Sequence, residues 1–341
     1  MLTRSSALSG VLLAAMAIAP AAGLAQSGHP AMNFIAAPGD GEAATTANDQ
    51  AESSRALQTA AASSAIDAAG VQVSHVFIVM EENHSYSDVI GNSQMPYLNS
   101  LAKTYSSWVG YYADTHPSIG NYFMLTTGQI ITNDDGYTGT VTVDNVVREL
   151  IAAGKTWKEY SEAIPYQGYY GGDTGEYAER HNPLSYMSDV RGDPAQQQNL
   201  APFTQLATDI ANHTLPNYGF IVPDLLDDAH DGTLAQADTW LQTNIAPLLA
   251  SPDFNTPGGG LLIITFDESE DSDTQFGGGQ VAWVVVGPDV RLAFPPKGAQ
   301  IPIVVYQHES TCRFMMKLAG VSVFPGNAAT APDMNMFLTG N

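Results

Sequence analysis

A five-residue apolar run at residues 76–80 ends abruptly at two carboxylates, an amide and an imidazole, which are Glu81, Glu82, Asn83 and His84. An unbroken apolar run of this length is typical of a parallel strand that is buried on both faces of a sheet. In open α/β sheets, ligands bind outside the carboxyl ends of the strands. The hard oxygen ligands at this strand end therefore indicate a metal or phosphate site, with a solvated loop after the strand as the alternative.

After residue 70, strand-like apolar runs alternate with helical stretches. This alternation predicts an α/β fold with a mostly parallel sheet and helices on both faces. Residues 165–198 are rich in Tyr, Gly and Asp and lack periodicity, so they are predicted to be an active-site insertion rather than a strand or helix. The predicted strands are residues 71–80, 155–160, 218–222, 261–266, 281–286 and 301–305. The predicted helices are residues 95–104, 119–127, 143–153, 202–212, 234–249 and 309–318.

The first 70 residues have a different character. Residues 1–25 are predicted to be a secretory signal, with Arg4 in a short basic region, an apolar core and small residues up to Ala25. The apolar core is too short to span a bilayer, and we expect no membrane-spanning segment later in the chain. Residues 26–70 are predicted to be a low-complexity leader, disordered or partly helical, and residues 71–341 a single domain. The expected destination is the periplasm or the outside medium.

Composition limits the partners that this chain can have. Its 341 residues are 44% hydrophobic, which is enough for a sizeable core. The 35 acidic and 12 basic residues give a formal net charge of −23, which repels nucleic acid and anionic membranes. A phosphate-bearing substrate would therefore need a local cation, which a bound metal can supply. The only cysteine, Cys312, excludes an intramolecular disulfide and a Cys-rich zinc site.

Ser118 follows Pro117 and comes directly before the predicted helix at residues 119–127. A serine at a helix start is a good N-cap, and this structural role is one interpretation. The same position suits a nucleophile, because helix-start N–H groups and the helix dipole favour a bound phosphate. A nearby metal can also lower the pKa of the hydroxyl. The motif by itself leaves both interpretations open.

A second apolar run, at residues 261–266, also ends at hard ligands, Asp267 and Glu268. If the two strands are neighbours in the sheet, their carboxyl ends face one cavity. An all-oxygen set at such a place suits Mg²⁺, Ca²⁺ or Mn²⁺. The side chains that would share this cation are Glu82, Asn83, Asp267 and Glu268.

Three further motifs contain a histidine. His181 begins a His-Asn-Pro sequence, His230 lies among four carboxylates at residues 224–231, and His308 precedes the last predicted helix. Each has an ordinary alternative: a packed or solvated loop residue for His181, an acidic turn before a helix for His230, and a neighbour of the capping Ser310 for His308. The roles of His116 and His308 stay open at this point.

In chain order, these motifs resemble the phosphoesterase family that includes bacterial phospholipases C and secreted acid phosphatases, within the alkaline phosphatase superfamily. The resemblance covers about residues 71–320. Each motif is weak alone, but five in family order are specific. The matching stretches are Glu82-Asn83-His84-Ser85, Thr115-His116-Pro117-Ser118 with Asn121-Tyr122, His181-Asn182-Pro183, Thr265-Phe266-Asp267-Glu268, and Tyr306 to Ser310.

The resemblance implies an alkaline-phosphatase-like, three-layer α/β/α sandwich with one divalent metal ion, which would be Ca²⁺, Mg²⁺, Mn²⁺ or Zn²⁺. It implies that Ser118 is both a metal ligand and the nucleophile. His181 and His230 would contact the phosphoryl oxygens or protonate the leaving group. The metal ligands that the resemblance implies are Glu82, Asn83, Ser118, Asp267 and Glu268.

The predicted function is that of a secreted, metal-dependent phosphoric ester hydrolase, an acid phosphatase that cleaves phosphomonoesters through a phosphoserine at Ser118. One alternative is a phospholipase C or another phosphodiesterase on the same scaffold. The chain is shorter than the large phospholipases C and lacks room for their C-terminal β domains, which favours the compact acid phosphatases. The other alternative is a non-catalytic secreted protein that binds a cation through its acidic loops.

Overall fold

The computed structural model describes residues 71–340, so the predicted signal segment and leader at residues 1–70 lie outside the described part of the chain. Within it, seven strands form one sheet: β1 His75–Glu81, β2 Ser106–Ser107, β3 Trp157–Ser161, β4 Leu200–Pro202, β5 Tyr218–Val222, β6 Gly260–Phe266 and β7 Trp283–Val286. Their spatial order is β2-β7-β6-β1-β5-β3-β4.

The middle of the sheet is parallel. β1 lies between β5 and β6 and runs parallel to both, while β3 and β4 extend the parallel set beyond β5. β7 runs antiparallel to β6, and the short β2 runs antiparallel to β7. The predicted α/β fold with a mostly parallel sheet is confirmed. The antiparallel edge formed by β7 and β2 is the part of the sheet that strand–helix alternation did not indicate.

Helices complete the predicted three-layer α/β/α sandwich. Every residue of β5 and of β6 is buried, as expected for strands covered on both faces. None of the helices in residues 71–340 is long and apolar enough to cross a bilayer. The helices are α1 Tyr86–Val89, α2 Pro96–Thr104, α3 Ile119–Thr127, α4 Val146–Ala152, α5 Ser188–Arg191, α6 Pro194–Gln197, α7 Gln205–Asn212, α8 Leu234–Asn244, α9 Ala246–Ala250 and α10 His308–Leu318.

Caps and prolines set several helix ends. Asn145 caps α4 by accepting a hydrogen bond from the Arg148 N–H at 3.0 Å, so the helix starts later than the predicted residue 143. The single helix predicted for residues 234–249 is two helices, which separate at Ile245. Pro247 lies in the first turn of α9 and has no N–H to continue the hydrogen bonding of α8.

The strand predicted for residues 301–305 is wrong. Pro302 lacks an N–H for a sheet ladder, and Ile303 is 63% exposed. The carbonyl of Val304 accepts a hydrogen bond from Trp108 Nε1 at 2.8 Å instead of pairing in the sheet. This segment therefore runs beside Trp108 without joining the sheet.

Two short elements also differ from expectation. The segment 165–198 was predicted to contain no strand or helix. That prediction is wrong, because the segment contains the short helices α5 and α6 and two 3₁₀ turns, Glu179–His181 and Pro183–Tyr186. Turns of three or four residues are too short to show a helical period in the sequence. The helix predicted for residues 202–212 begins at Gln205, because its first residue ends strand β4.

Candidate active site

The carboxyl ends of β1 and β6 lie next to each other. Glu81 pairs with Phe266 in parallel register, and the Asp267 N–H donates to the Glu81 carbonyl at 3.0 Å. The first residues beyond the two strands, Glu82 and Asp267, are therefore neighbours at the same edge of the sheet. This is the juxtaposition that the two matching strand ends predict.

Ser118 occupies the N-cap position of α3, but its side chain makes no capping hydrogen bond. Its Oγ lies 3.3 Å from Glu82 Oε2 and 3.3 Å from Glu268 Oε1, and the residue is 3% exposed. A hydroxyl has one proton and can donate to only one of these carboxylates. The capping interpretation therefore does not account for the position of this side chain.

The spacing of the oxygen atoms matches a cation shell. Cation–oxygen bonds of about 2.3 Å place adjacent ligands of an octahedral shell about 3.3 Å apart. Asp267 adds Oδ2, a buried oxygen that has no hydrogen-bond partner within residues 71–340, while its Oδ1 accepts the Asn83 N–H at 3.1 Å. Asn83 has a φ of 55°, in the left-handed region that asparagine tolerates better than most residues.

The carboxylates of the site are unusually basic because they are buried. Burial, followed by the charges of Asp267 and Asp228, raises the pKa of Glu82 well above its ordinary value. Burial also raises the pKa of Asp267, and burial followed by the Asp267 charge raises the pKa of Glu268 to about 9. Buried carboxylates at this density are costly unless a positive charge compensates them. The set contains only oxygen donors, so the residues present fit a divalent cation of the Mg²⁺, Ca²⁺ or Mn²⁺ type.

A cavity of about 530 Å³ opens at these side chains. The Ile119 N–H, the first amide of α3, donates to Asp135 Oδ1 at 3.1 Å. In this structure a carboxylate therefore engages the first amide of the helix start at which the sequence suggests a phosphate is favoured. The cavity wall is formed by Asn83, Ser118, Asp135, His230, Glu268 and residues 269–272.

His181 is buried between two carboxylates. Its Nδ1 lies 3.3 Å from Asp228 Oδ2, and its Nε2 lies 3.4 Å from Glu82 Oε2. Its ring stacks on the ring of Tyr122, and the Tyr122 hydroxyl donates to Glu82 Oε1. Burial lowers the pKa of His181 well below its ordinary value. The imidazole is therefore neutral near neutral pH in the protein alone.

His230 forms part of the cavity wall, with its ring centroid 5.6 Å from that of His181. Its Nδ1 lies 2.9 Å from Asp231 Oδ1, and its Nε2 lies 3.2 Å from the Arg180 guanidinium. Ligand atoms of Glu82, His181 and His230 lie within 4.8 Å of one another, so these three residues are a second set able to hold a metal ion. The structure thus brings both predicted histidines to the predicted oxygen ligands.

The two histidines whose roles the sequence left open differ in position. His116 Nδ1 lies 2.7 Å from Glu268 Oε2, and its Nε2 contacts a backbone carbonyl of the following loop at 3.0 Å. His308 is fully buried, with Nε2 2.7 Å from the Asp267 carbonyl and Nδ1 3.1 Å from the Tyr111 hydroxyl. His116 therefore touches a predicted ligand, whereas His308 supports the end of β6 from behind.

Sequence reasoning missed three side chains of this site, which are Tyr122, Asp228 and Arg180. Tyr122 belongs to a motif that carried the family resemblance, but nothing in the motif assigns it a contact. Asp228 lies among several neighbouring carboxylates, so no pattern distinguishes it from them. Arg180 directly precedes the His-Asn-Pro motif. A basic residue beside a predicted site histidine is the sequence feature that could have identified it.

The fold is similar to that of a protein of the alkaline phosphatase superfamily from Vibrio parahaemolyticus. The two structures superpose with a TM-score of 0.51 and 11% sequence identity over 78% of this chain and 71% of that chain. This likeness defines the fold as an alkaline-phosphatase-like α/β/α sandwich.

The family model described as the phosphoesterase family matches residues 91–276, more than half of the chain. This chain therefore belongs to the phosphoesterase family, and the predicted family is confirmed. Glu82 and Asn83 lie before the first matched residue. The predicted site residues inside the match are Ser118, His181, His230, Asp267 and Glu268.

Three sequence relatives of this chain are named as phosphatases. The probable acid phosphatase of Kluyveromyces lactis is 31% identical over 64% of this chain and 52% of that protein. The phosphatidylinositol-3-phosphatase of Mycobacterium tuberculosis is 32% identical over 64% of this chain and 69% of that protein. The acid phosphatase of Aspergillus fumigatus is 31% identical over 66% of this chain and 52% of that protein. The chain thus spans about half the length of the two fungal relatives.

Proposed function

We propose that this protein is a secreted, metal-dependent acid phosphatase that hydrolyses phosphomonoesters through a phosphoserine at Ser118. One observation carries the proposal: the Ser118 hydroxyl makes no capping bond and lies 3.3 Å from both Glu82 and Glu268. Membership of the phosphoesterase family supports hydrolysis of a phosphoric ester. The names of the relatives favour a phosphatase over a phosphodiesterase.

The proposed metal ligands come together where strands β1 and β6 end. The ends of β1 and β6 place Glu82 beside Asp267, and the Tyr122 hydroxyl orients Glu82. A bound divalent cation would lower the pKa of the Ser118 hydroxyl and stabilise negative charge on the phosphoryl oxygens. The residues that would hold it are Glu82, Asn83, Ser118, Asp267 and Glu268.

Ser118 reacts as the alkoxide, having lost its proton to water beforehand. Its Oγ attacks phosphorus in line with the bond to the leaving alcohol, and this bond breaks as the phosphoserine forms. The negative charge of the bound phosphoryl group favours protonated His181. The imidazolium then gives the alcohol oxygen its proton from Nε2 and recovers one from the water that later attacks the phosphoserine, while Asp228 Oδ2 lies 3.3 Å from Nδ1. His181 is favoured over His230 as the donor because its Nε2 has no hydrogen-bond partner within residues 71–340. Water then attacks the phosphoserine and releases phosphate.

The test is to trap the phosphoserine. Wild type, Ser118→Ala and Ser100→Ala are incubated briefly with p-nitrophenyl phosphate at low pH, and intact masses and released p-nitrophenol are measured. We expect wild type and Ser100→Ala to gain about 80 Da, the mass of the HPO₃ that nucleophilic catalysis leaves on the enzyme. Ser118→Ala should show neither adduct nor turnover. Ser100 is exposed on α2, so its variant controls for the loss of a hydroxyl.

Other outcomes would assign the protein differently. An adduct on Ser118→Ala, or near-native turnover by it, would place the nucleophile elsewhere. Faster hydrolysis of a bis-ester than of the monoester would favour the phosphodiesterase alternative. Metal binding without turnover of either ester would favour the cation-binding alternative.

Export is supported by the signal pattern of residues 1–25. N-terminal sequencing of the protein recovered from the periplasm or the medium tests it. A mature chain that begins near Gln26 supports export, whereas an intact Met1 in a cell-internal fraction contradicts it.

A further inference from the structure

One cation contacts the wall of an otherwise acidic cavity. Among the lysines and arginines of residues 71–340, Arg180 is the one whose side chain forms a hydrogen bond with a wall residue, His230. The wall also contains Asp135, Glu268 and further carboxylates at residues 270 and 271. The chain as a whole carries a formal charge of −23. Arg180 is therefore the cation of the described residues that is hydrogen-bonded directly to the cavity wall, at His230.

The guanidinium is held loosely enough to engage a ligand. Its NH2 group lies 3.2 Å from His230 Nε2, and its NH1 group lies 3.4 Å from Asp173 Oδ2. The Asp173 side chain is 60% exposed, and an ion pair in such surroundings is weak. A guanidinium carries five N–H donors in a planar fork, of which these contacts use two. Arg180 therefore has donors to spare while its side chain is only 15% exposed.

The contact with Arg180 also determines what His230 can do. A guanidinium has no acceptor, so His230 Nε2 accepts the hydrogen bond and the ring proton lies on Nδ1. That Nδ1 is 2.9 Å from Asp231 Oδ1, which is a suitable acceptor. His230 then offers no N–H from Nε2 to a substrate. The side-chain N–H groups that lie next to His230 Nε2 belong to Arg180, which contacts the wall through His230.

We propose that Arg180 binds the non-bridging oxygens of the substrate phosphoryl group and makes the site selective for phosphomonoester dianions over phosphodiester monoanions. This inference rests on the proposed function and names the substrate class of the same site. The guanidinium fork matches two phosphoryl oxygens at once. A monoester presents three non-bridging oxygens that share two negative charges, whereas a diester presents two that share one. Arg180 therefore stabilises the bound monoester more.

The test compares wild type, Arg180→Gln, Arg180→Lys and Lys103→Gln at about pH 6.5, where a phosphomonoester with a second pKa of about 6 is mostly a dianion, with Mg²⁺, Ca²⁺ or Mn²⁺ added. The substrates are p-nitrophenyl phosphate and methyl p-nitrophenyl phosphate, and the inhibitor is inorganic phosphate. Loss of a charge-assisted hydrogen bond predicts that Arg180→Gln lowers kcat/KM about 100-fold for the monoester but less than about 5-fold for the diester. The inhibition constant for phosphate should rise by a factor similar to that for the monoester.

Two variants sharpen the comparison. Lys103→Gln removes the same charge from an exposed position on α2 and should leave both substrates and phosphate inhibition unchanged. Arg180→Lys keeps the charge but loses the fork, so its monoester preference should fall by a smaller factor. Arg180→Lys also carries the test if thermal melting shows that Arg180→Gln does not fold.

The failures of the two proposals differ. If wild type hydrolyses the monoester and the Arg180 variants lose activity equally on both esters, the inference is overturned and the proposed function stands. Unchanged phosphate inhibition in both Arg180 variants overturns the inference in the same way. Absence of turnover by wild type on either ester overturns both.

Discussion

The ring of Tyr122 stacks on the ring of His181, with centroids 5.3 Å apart and planes inclined by 12°. The Tyr122 hydroxyl also donates to Glu82 Oε1. One tyrosine from α3 therefore fixes the orientation of a proposed metal ligand and of a proposed proton donor. A substitution can separate these two functions, because the stack needs only the ring and the hydrogen bond needs only the hydroxyl.

Tyr122→Phe keeps the stack and removes the hydrogen bond to Glu82. Loss of a contact that orients a metal ligand predicts a metal affinity about 10- to 100-fold weaker than that of wild type. Titration of the melting temperature with the divalent cation measures this affinity. Tyr166→Phe, at a tyrosine that is 63% exposed, is the matched control. Equal metal affinity in Tyr122→Phe and wild type would show that the hydroxyl does not orient Glu82.

Asp267→Asn removes one negative charge from the buried oxygen set. Since Asp267 Oδ2 has no hydrogen-bond partner within residues 71–340, we expect its loss as a ligand to weaken metal affinity about 100-fold or more. Metal content of the purified protein, measured by mass spectrometry after dialysis, checks this. Glu176→Gln neutralises an exposed carboxylate and should retain the wild-type metal content. A full metal complement in Asp267→Asn would exclude Asp267 from the ligand set.

His181→Asn tests the proposed proton donor through the leaving group. A poor leaving group needs its proton more than a good one, so turnover should fall about 100- to 1000-fold with phenyl phosphate and less than about 10-fold with p-nitrophenyl phosphate. His213→Asn, at a histidine whose side chain is 65% exposed, should affect neither substrate. A loss of the same size on both substrates would show that His181 acts on binding or structure and does not protonate the alcohol.

Glu159 on β3 should make stability depend on pH. Burial raises the pKa of Glu159 from its ordinary 4.5 to about 8, and its Oε2 accepts the Leu184 N–H at 3.0 Å. Because the pKa is raised on folding, the stability that the protonated group contributes is complete below pH 4.5 and is lost as pH rises to about 8. Glu159→Gln cannot ionise and keeps the acceptor. Its melting temperature should exceed that of wild type by a margin that grows between about pH 5 and pH 8.5.

Melting curves of both proteins across this range, followed by circular dichroism, measure the margin. Glu176→Gln serves again as the control, because an exposed carboxylate should give a difference from wild type that does not change with pH. A constant difference between Glu159→Gln and wild type would mean that Glu159 is already ionised in the folded protein.

Residues at the ends of β1 and β6 could be placed together from sequence for a simple reason. Both strands are unbroken apolar runs, and parallel strands end at the same edge of a sheet. Glu82 and Asp267 follow those runs directly, so their neighbourhood depends only on the two strands being adjacent. The order of the motifs identified Ser118 and His181, but the sequence did not predict where their side chains lie. A serine before a helix has the same sequence whether its hydroxyl caps that helix or faces Glu82.

The strand predicted at residues 301–305 shows the limit of apolar patterning. Isoleucine and valine there are compatible with a strand, but whether the segment pairs in a sheet depends on which backbone lies beside it. Pro302 has no N–H, and the Val304 carbonyl accepts its hydrogen bond from the Trp108 side chain rather than from a neighbouring strand. The short helical turns in residues 165–198 could not be predicted either, because three or four residues are too few to show a helical hydrophobic periodicity.

From sequence alone, the α/β class, the two strand ends that carry carboxylates and the order of the family motifs were determined, because each depends on local pattern. Tertiary structure decided the contacts that make the arrangement specific: Tyr122 on Glu82, Asp228 on His181 and Arg180 on His230. Each joins segments far apart in the chain. Such contacts arise from how α3, the loop after β5 and the insertion at residues 165–198 pack around the sheet edge, and no periodicity in the sequence encodes that packing.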